Sequence, residues 1–209
     1  MLLSLEILSW IPMTLYVLAA LPQAWTNMRL RSTQGLSMLM IFIRFSTGLF
    51  YNTYINLCGL PLSYRVMMFL YTLSFSVLVV QGYRYSSQAM QKVLKRGYAS
   101  IVSLLLISLV VALWYPYQVG YMIGTCAVTA SVFTDLPQVI KNYRRKTMKG
   151  FSFYFATLLG LGAILELCIA LWFSLPFPTV FSAARAASYS FVFWAQFFLY
   201  RNKRLQSAS

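Results

Sequence analysis

Leu21-Pro22-Gln23-Ala24-Trp25-Thr26-Asn27-Met28-Arg29 returns later in the chain as Leu136-Pro137-Gln138-Val139-Ile140-Lys141-Asn142-Tyr143-Arg144. The register, 138 minus 23 or 115 residues, continues through Arg31/Lys146, Ser32/Thr147, Gly35/Gly150 and Ser37/Ser152. Seven identities in 17 positions, with Pro, Gln, Asn and Gly among them, exceed what shared hydrophobicity produces. The chain therefore contains an internal repeat, and each copy starts near the end of one apolar stretch and leads into the next.

The apolar stretches set the frame for that repeat. Of 209 residues, 60% are hydrophobic and 10% charged, where soluble domains carry about 25% charged residues. A membrane-spanning helix needs roughly 20 mostly apolar residues, because hydrocarbon offers the backbone no hydrogen-bonding partner. Such stretches run from Leu2 to Ala24, Leu36 to Cys58, Leu62 to Tyr83, Tyr98 to Trp114, Gln118 to Ile140, Phe151 to Phe173 and Val180 to Tyr200. The first lacks a basic leader, its sole charge being Glu6, and runs directly into the repeated motif, so it reads as a retained helix rather than a cleaved signal. Both motif copies end a helix on the same side of the membrane. Two three-helix units can share that orientation only if a single helix joins them. The expected fold is an all-α integral membrane protein, seven transmembrane helices as two parallel three-helix bundles joined by a linker helix. Residues 1–84 form the first repeat, 85–117 a loop and linker helix 4, and 118–209 the second repeat with a basic tail.

A net charge of +14 raises the question of nucleic-acid binding, and the placement of the basic residues answers it. Arg29 and Arg31, then Arg84, Lys92, Lys95 and Arg96, then Lys141, Arg144, Arg145, Lys146 and Lys149, then Arg201, Lys203 and Arg204 account for 14 of the 17 Lys and Arg. All fall in alternate loops, which the positive-inside rule assigns to the cytoplasm, leaving the N-terminus outside. Nucleic acid is not an expected partner; the lipid bilayer is. Cys58, Cys126 and Cys168 have no close-spaced mate and read as free apolar thiols, with no metal site expected. The absence of an Asn-x-Ser/Thr acceptor fits a bacterial inner membrane better than a lysosome-like organelle.

The doubled Leu-Pro-Gln, the following Asn, the basic cluster, and Ser32 to Ser37 with its echo Thr147 to Ser152 resemble the PQ-loop family of seven-helix transporters. That family includes cystinosin, the lysosomal cationic amino-acid exporters and, more distantly, the SWEETs. The resemblance covers nearly the whole chain. It implies a solute carrier working by alternating access, often proton-coupled in the lysosomal members, with a small-molecule solute as partner and protons, rather than any cofactor, as the coupling ion.

Proline inside a helix removes one donor and frees the carbonyl four residues earlier, here Leu18 for Pro22 and Phe133 for Pro137. The expected result is a hinge at the same depth in both halves, with Gln23 and Gln138 bonding the loosened backbone; a rigid kink is the alternative. Gly120, Gly124, Ala127 and Ser131 on helix 5, and Ala183, Ala184, Ala186, Ala187 and Ser190 on helix 7, mark either packing seams or room for substrate.

Ionisable residues within spans are costly and point to function. At about 1.5 Å per residue, Glu166 and Arg185 come to one level and are expected to pair, with Asp135 and Arg44 as a second pair nearer the inner side. These are either static bridges or a carboxylate that takes a proton in the cycle and releases its arginine. Asp135 and Glu166 are the proton-coupling candidates, with Asp135 favoured because it lies two residues before Pro137. Arg44, Tyr51, Asn52, Glu166, Arg185 and Tyr189 are the substrate-binding candidates. The register aligns Asp135 with Ala20, Glu166 with Tyr51 and Arg44 with Leu159, so a shared backbone plan would line an asymmetric pocket.

With no His and one Asp, the chain offers neither Ser-His catalysis nor a His metal site, and no catalytic residue is expected. The leading function is a secondary transporter of a small polar solute, an amino acid or sugar, coupled to protons. The competing one is a cargo or sorting receptor of the KDEL-receptor type. Oligomeric state is not legible.

Overall fold

The computed structural model describes residues 2–85 and 88–201. Lys203 and Arg204 of the basic tail lie outside them. The chain is helical: α1 (Leu2–Leu30), α2 (Met38–Leu57), α3 (Leu62–Tyr85), α4 (Gln88–Ala112), α5 (Pro116–Ser131), α6 (Leu136–Arg145), α7 (Phe153–Trp172) and α8 (Phe177–Arg201). Because α5 and α6 share one span, these eight segments make seven crossings, and the protein is an integral membrane protein. Leu3–Leu30, Leu62–Tyr85, Gln91–Ala112, Pro116–Arg145 and Phe153–Trp172 are long and apolar enough to cross on composition alone. α2 and α8 each carry an arginine within the span, Arg44 and Arg185.

The 115-residue register governs backbone detail. α2 and α7 are each 20 residues long and start in register. Ser37 and Ser152 cap them, each hydroxyl accepting from the N–H three residues on, of Met40 and Phe155, at 3.3 Å. The preceding helices end on left-handed residues in the same register, Arg31 at φ +45° and Lys146 at φ +51°. α1 packs against α7 and α3, and α2 against α5, so the first two helices of each half are exchanged across the interface. The linker α4 touches the rest lightly.

Three segments depart from expectation. α1 runs on to Leu30, through both Pro12 and Pro22. α4 begins at Gln88 rather than Tyr98, because Lys92, Lys95 and Arg96 are good helix formers that continue the linker into water. Helix 5 is not continuous: after Ser131 the chain tightens into bonds from Val132, Phe133 and Thr134 to carbonyls three residues back, and a new helix begins at Leu136. Val132 and Thr134, both β-branched, and Asp135 have low helix propensity and weaken the α-helix there. Pro137 then sits in the first turn of α6, where its missing N–H costs nothing. Unlike Pro22, it does not lie inside a continuous helix.

Candidate functional site

The motif glutamines do not bond the backbone of their own helices. Gln23 donates to the Gly150 carbonyl at 3.0 Å and accepts from the Ser152 N–H at 2.8 Å. Gln138 donates to the Gly35 carbonyl at 3.0 Å and accepts from the Ser37 N–H at 2.6 Å. Each amide thus bonds the motif loop of the opposite repeat. Behind them, Gln23 donates to Asn27, which donates to Gln81, which donates to the Ala24 carbonyl. Gln138, Asn142, Gln196 and Val139 repeat that chain one register on. Gln23 and Gln138 are fully buried, and the network satisfies their polar atoms. Between the two amides the loops cross so closely that a Cβ on Gly35 would lie 2.3 Å from the Gly150 backbone. This closes the basic end of the bundle. The third-helix glutamines, Gln81 and Gln196, were not singled out from sequence, although extending the register reaches both.

On the other side of that closure is a cavity of about 70 Å³ between the two bundles. Arg44, Tyr51, Glu166 and Arg185 line it, together with Tyr16 and Tyr64; Asn52 and Tyr189 are not among its lining residues. Asn52 instead accepts from Asn56 one turn on. The Tyr189 hydroxyl donates to the Val132 carbonyl at 2.7 Å, in the turn where the helix breaks. The small-residue stripe on α5 divides by depth: Gly120 and Gly124 let Leu57 and Tyr54 approach, while Ala127 and Ser131 face the cavity. Packing seam and cavity wall are therefore one stripe.

The ion pairs differ from expectation in one arm. Arg44 bonds Asp135, as anticipated, and also donates to the Tyr71 hydroxyl at 3.2 Å. Arg185, however, pairs with the second Asp135 oxygen at 3.0 Å rather than with Glu166. Depth alone matched Arg185 to Glu166, but the direction a side chain leaves its helix decides between acceptors at similar levels. Asp135, buried at the start of α6, makes no cap bond because both oxygens hold guanidiniums. Phe75 and Phe155 flank the Arg44 guanidinium at 5.6 and 5.9 Å from their centroids. Glu166 is 4% exposed, accepts a 2.6 Å bond from Tyr16, and has no ion pair among the described residues. The Tyr51 and Tyr64 hydroxyls, Thr134 Oγ1 and the Nε of both arginines are buried without a hydrogen-bond partner among the described residues. These groups offer a solute both donors and acceptors.

Residues 5–64 and 119–179 match the PQ loop repeat, more than half of the chain. The chain belongs to the PQ-loop family. Each matched segment contains a Pro-Gln pair and the loop bonded by the glutamine of the other segment. Among solved structures, this PQ-loop protein is similar to a eukaryotic SWEET transporter, with a TM-score of 0.68 and 12% identity over 96% of this chain and 97% of the other. At that identity the likeness is one of fold, and it extends to all seven helices. No curated protein matches the sequence significantly.

Proposed function

We propose that this PQ-loop protein is a secondary transporter that moves a small polar solute, an amino acid or sugar, by alternating access through the cavity between its two repeats. The observation that carries the reading is a small cavity between the repeats, lined by Arg44, Glu166, Arg185 and several tyrosines and bounded at one end by a closure made equally by both halves. Its size supports a small solute over a peptide. Opening that end requires Gln23 and Gln138 to release the opposite loops, with the helix turn weakened at Pro22 and the broken turn before Pro137 as the hinges. By the positive-inside rule, this reading places the basic end in the cytoplasm and the N-terminus outside.

Proton coupling belongs to the same proposal, and the geometry favours Glu166 over Asp135 as the group that carries the proton. The Asp135 charge is balanced by two guanidiniums; that of Glu166 is met by one hydroxyl. A carboxylate whose surroundings alternate between water and low dielectric changes its proton affinity, which is the requirement for coupling. Uptake of an amino-acid and sugar panel into proteoliposomes, with and without a pH gradient, tests the function. Glu166→Gln retains an acceptor for Tyr16 but cannot ionise, and is expected to abolish gradient-driven accumulation while the protein stays folded. Asp135→Asn strands two buried guanidiniums and is expected to cost about 3–5 kcal/mol of stability. Full gradient-driven accumulation by Glu166→Gln would remove the coupling role given to that residue.

A further inference from the structure

A second concavity lies on the outer face of the bundle and shares no lining residue with the transport cavity. It is a groove of about 540 Å³ walled by α2, the turn at 132–135 and α6. Leu39, Phe133 and Ile140 form its apolar sides and are 40–58% exposed, so they face the surroundings of the protein rather than its core. At the basic end of α6 the groove meets Lys141, Arg144 and Arg145. Lys141 donates to the Leu36 carbonyl and Arg145 to the Gln34 carbonyl at 3.0 Å. Both side chains are thereby held in place, yet each keeps donors to spare. Arg144 is exposed.

Among the described residues no side-chain carboxylate faces this cluster. The sequence has three Asp and Glu: Asp135 is held by Arg44 and Arg185, Glu166 is in the cavity, and Glu6 accepts from the Ser63 N–H on α3. The repeat also provides an internal comparison. One register earlier, Trp25, Thr26, Arg29 and Leu30 occupy the places of Ile140, Lys141, Arg144 and Arg145. A single cation stands there where α6 has three, and Thr26 spends its hydroxyl on the Pro22 carbonyl. Shared backbone architecture therefore does not account for the cluster, which belongs to one half alone.

We infer that this groove is a binding site for an anionic phospholipid, with an acyl chain along Leu39, Phe133 and Ile140 and the headgroup phosphate on Lys141, Arg144 and Arg145. Three cations at the polar end of an apolar trough match the charge and the amphipathic form of such a lipid. A free phosphate would use the cations and leave the trough without a role.

The test is native mass spectrometry of the purified protein with equimolar phosphatidylglycerol and phosphatidylcholine of identical acyl chains. The wild type is expected to retain phosphatidylglycerol preferentially. Arg144→Gln, which leaves the Lys141 and Arg145 bonds to the loop untouched, is expected to cut that preference about fivefold, and Lys141→Gln/Arg144→Gln/Arg145→Gln to bring it near parity. Arg29→Gln, the same register in the other half, is expected to leave it unchanged. Leu39→Trp fills the trough without touching a cation and is expected to lower phosphatidylglycerol retention too. The site is overturned if the wild type shows no preference, or if Arg144→Gln and Arg29→Gln behave alike. Unchanged retention in Leu39→Trp, or complete displacement of the lipid by inorganic phosphate, reduces it to an anion site and equally overturns the proposal.

Discussion

Gln23 and Gln138 spend both ends of one amide on a loop more than a hundred residues away in sequence, and that pattern separates an amide from its nearest substitutes. Gln23→Ala leaves the Gly150 carbonyl and the Ser152 N–H without their partner, which at about 1–3 kcal/mol per buried group is a measurable loss. Gln23→Glu is isosteric but turns the donating nitrogen into an oxygen that faces the Gly150 carbonyl and Asn27 Oδ1. It is expected to melt below Gln23→Ala in detergent, with Gln138→Glu behaving in parallel; a Gln23→Glu protein as stable as wild type would contradict the network. At this scale the sequence disclosed which residues are polar and buried, since hydrocarbon tolerates few of them. It did not disclose partners. Arg185 pairs with Asp135 rather than with Glu166, and that choice rests on the direction each side chain leaves its helix, which periodicity in a mostly apolar span defines poorly. Tyr16, the partner of Glu166, carried no signal that set it apart from the other tyrosines.

The two prolines occupy unlike elements despite their identical motif. Pro22 interrupts the hydrogen bonding of a continuous α1, whereas Pro137 starts α6. Restoring an N–H is therefore expected to act in opposite directions. Pro22→Ala gains a helix bond and is expected to stabilise by about 1–3 kcal/mol. Pro137→Ala gains none and frees the unfolded chain, at a cost of about 0.4–1 kcal/mol. Thermal unfolding of the two variants checks this, and a shared sign would show that the elements are equivalent after all. Element lengths were legible wherever the register applied, as the matched α2 and α7 demonstrate. The break in helix 5 was hidden because Val132 and Phe133 are as apolar as any spanning residue. The start of α4 was hidden because its lysines and arginines suggest a loop on charge while favouring a helix on propensity.

In the whole molecule, the halves are joined by the packing of α1 on α7 and α2 on α5 and by the two amide straps. Neither half can satisfy its own motif. Fragments 1–86 and 87–209 expressed together are expected to co-purify, and each alone to be degraded. Two separately stable fragments that fail to associate would refute this. The parallel arrangement was legible from parity alone, since three helices and a linker restore direction. The exchange of bonds between loops was not, because a repeat records likeness and says nothing about contact. That exchange, symmetric in space, is lopsided in time. When Gln138 emerges from the ribosome, its partners at Gly35 and Ser37 already exist. Gln23 must wait for Gly150, 127 residues later, or roughly 6–25 s of synthesis at about 5–20 residues per second. During that interval the first half is held in the membrane with Gln23 answered by Asn27 alone, so nascent chains stalled before Gly150 are the ones most exposed to quality control.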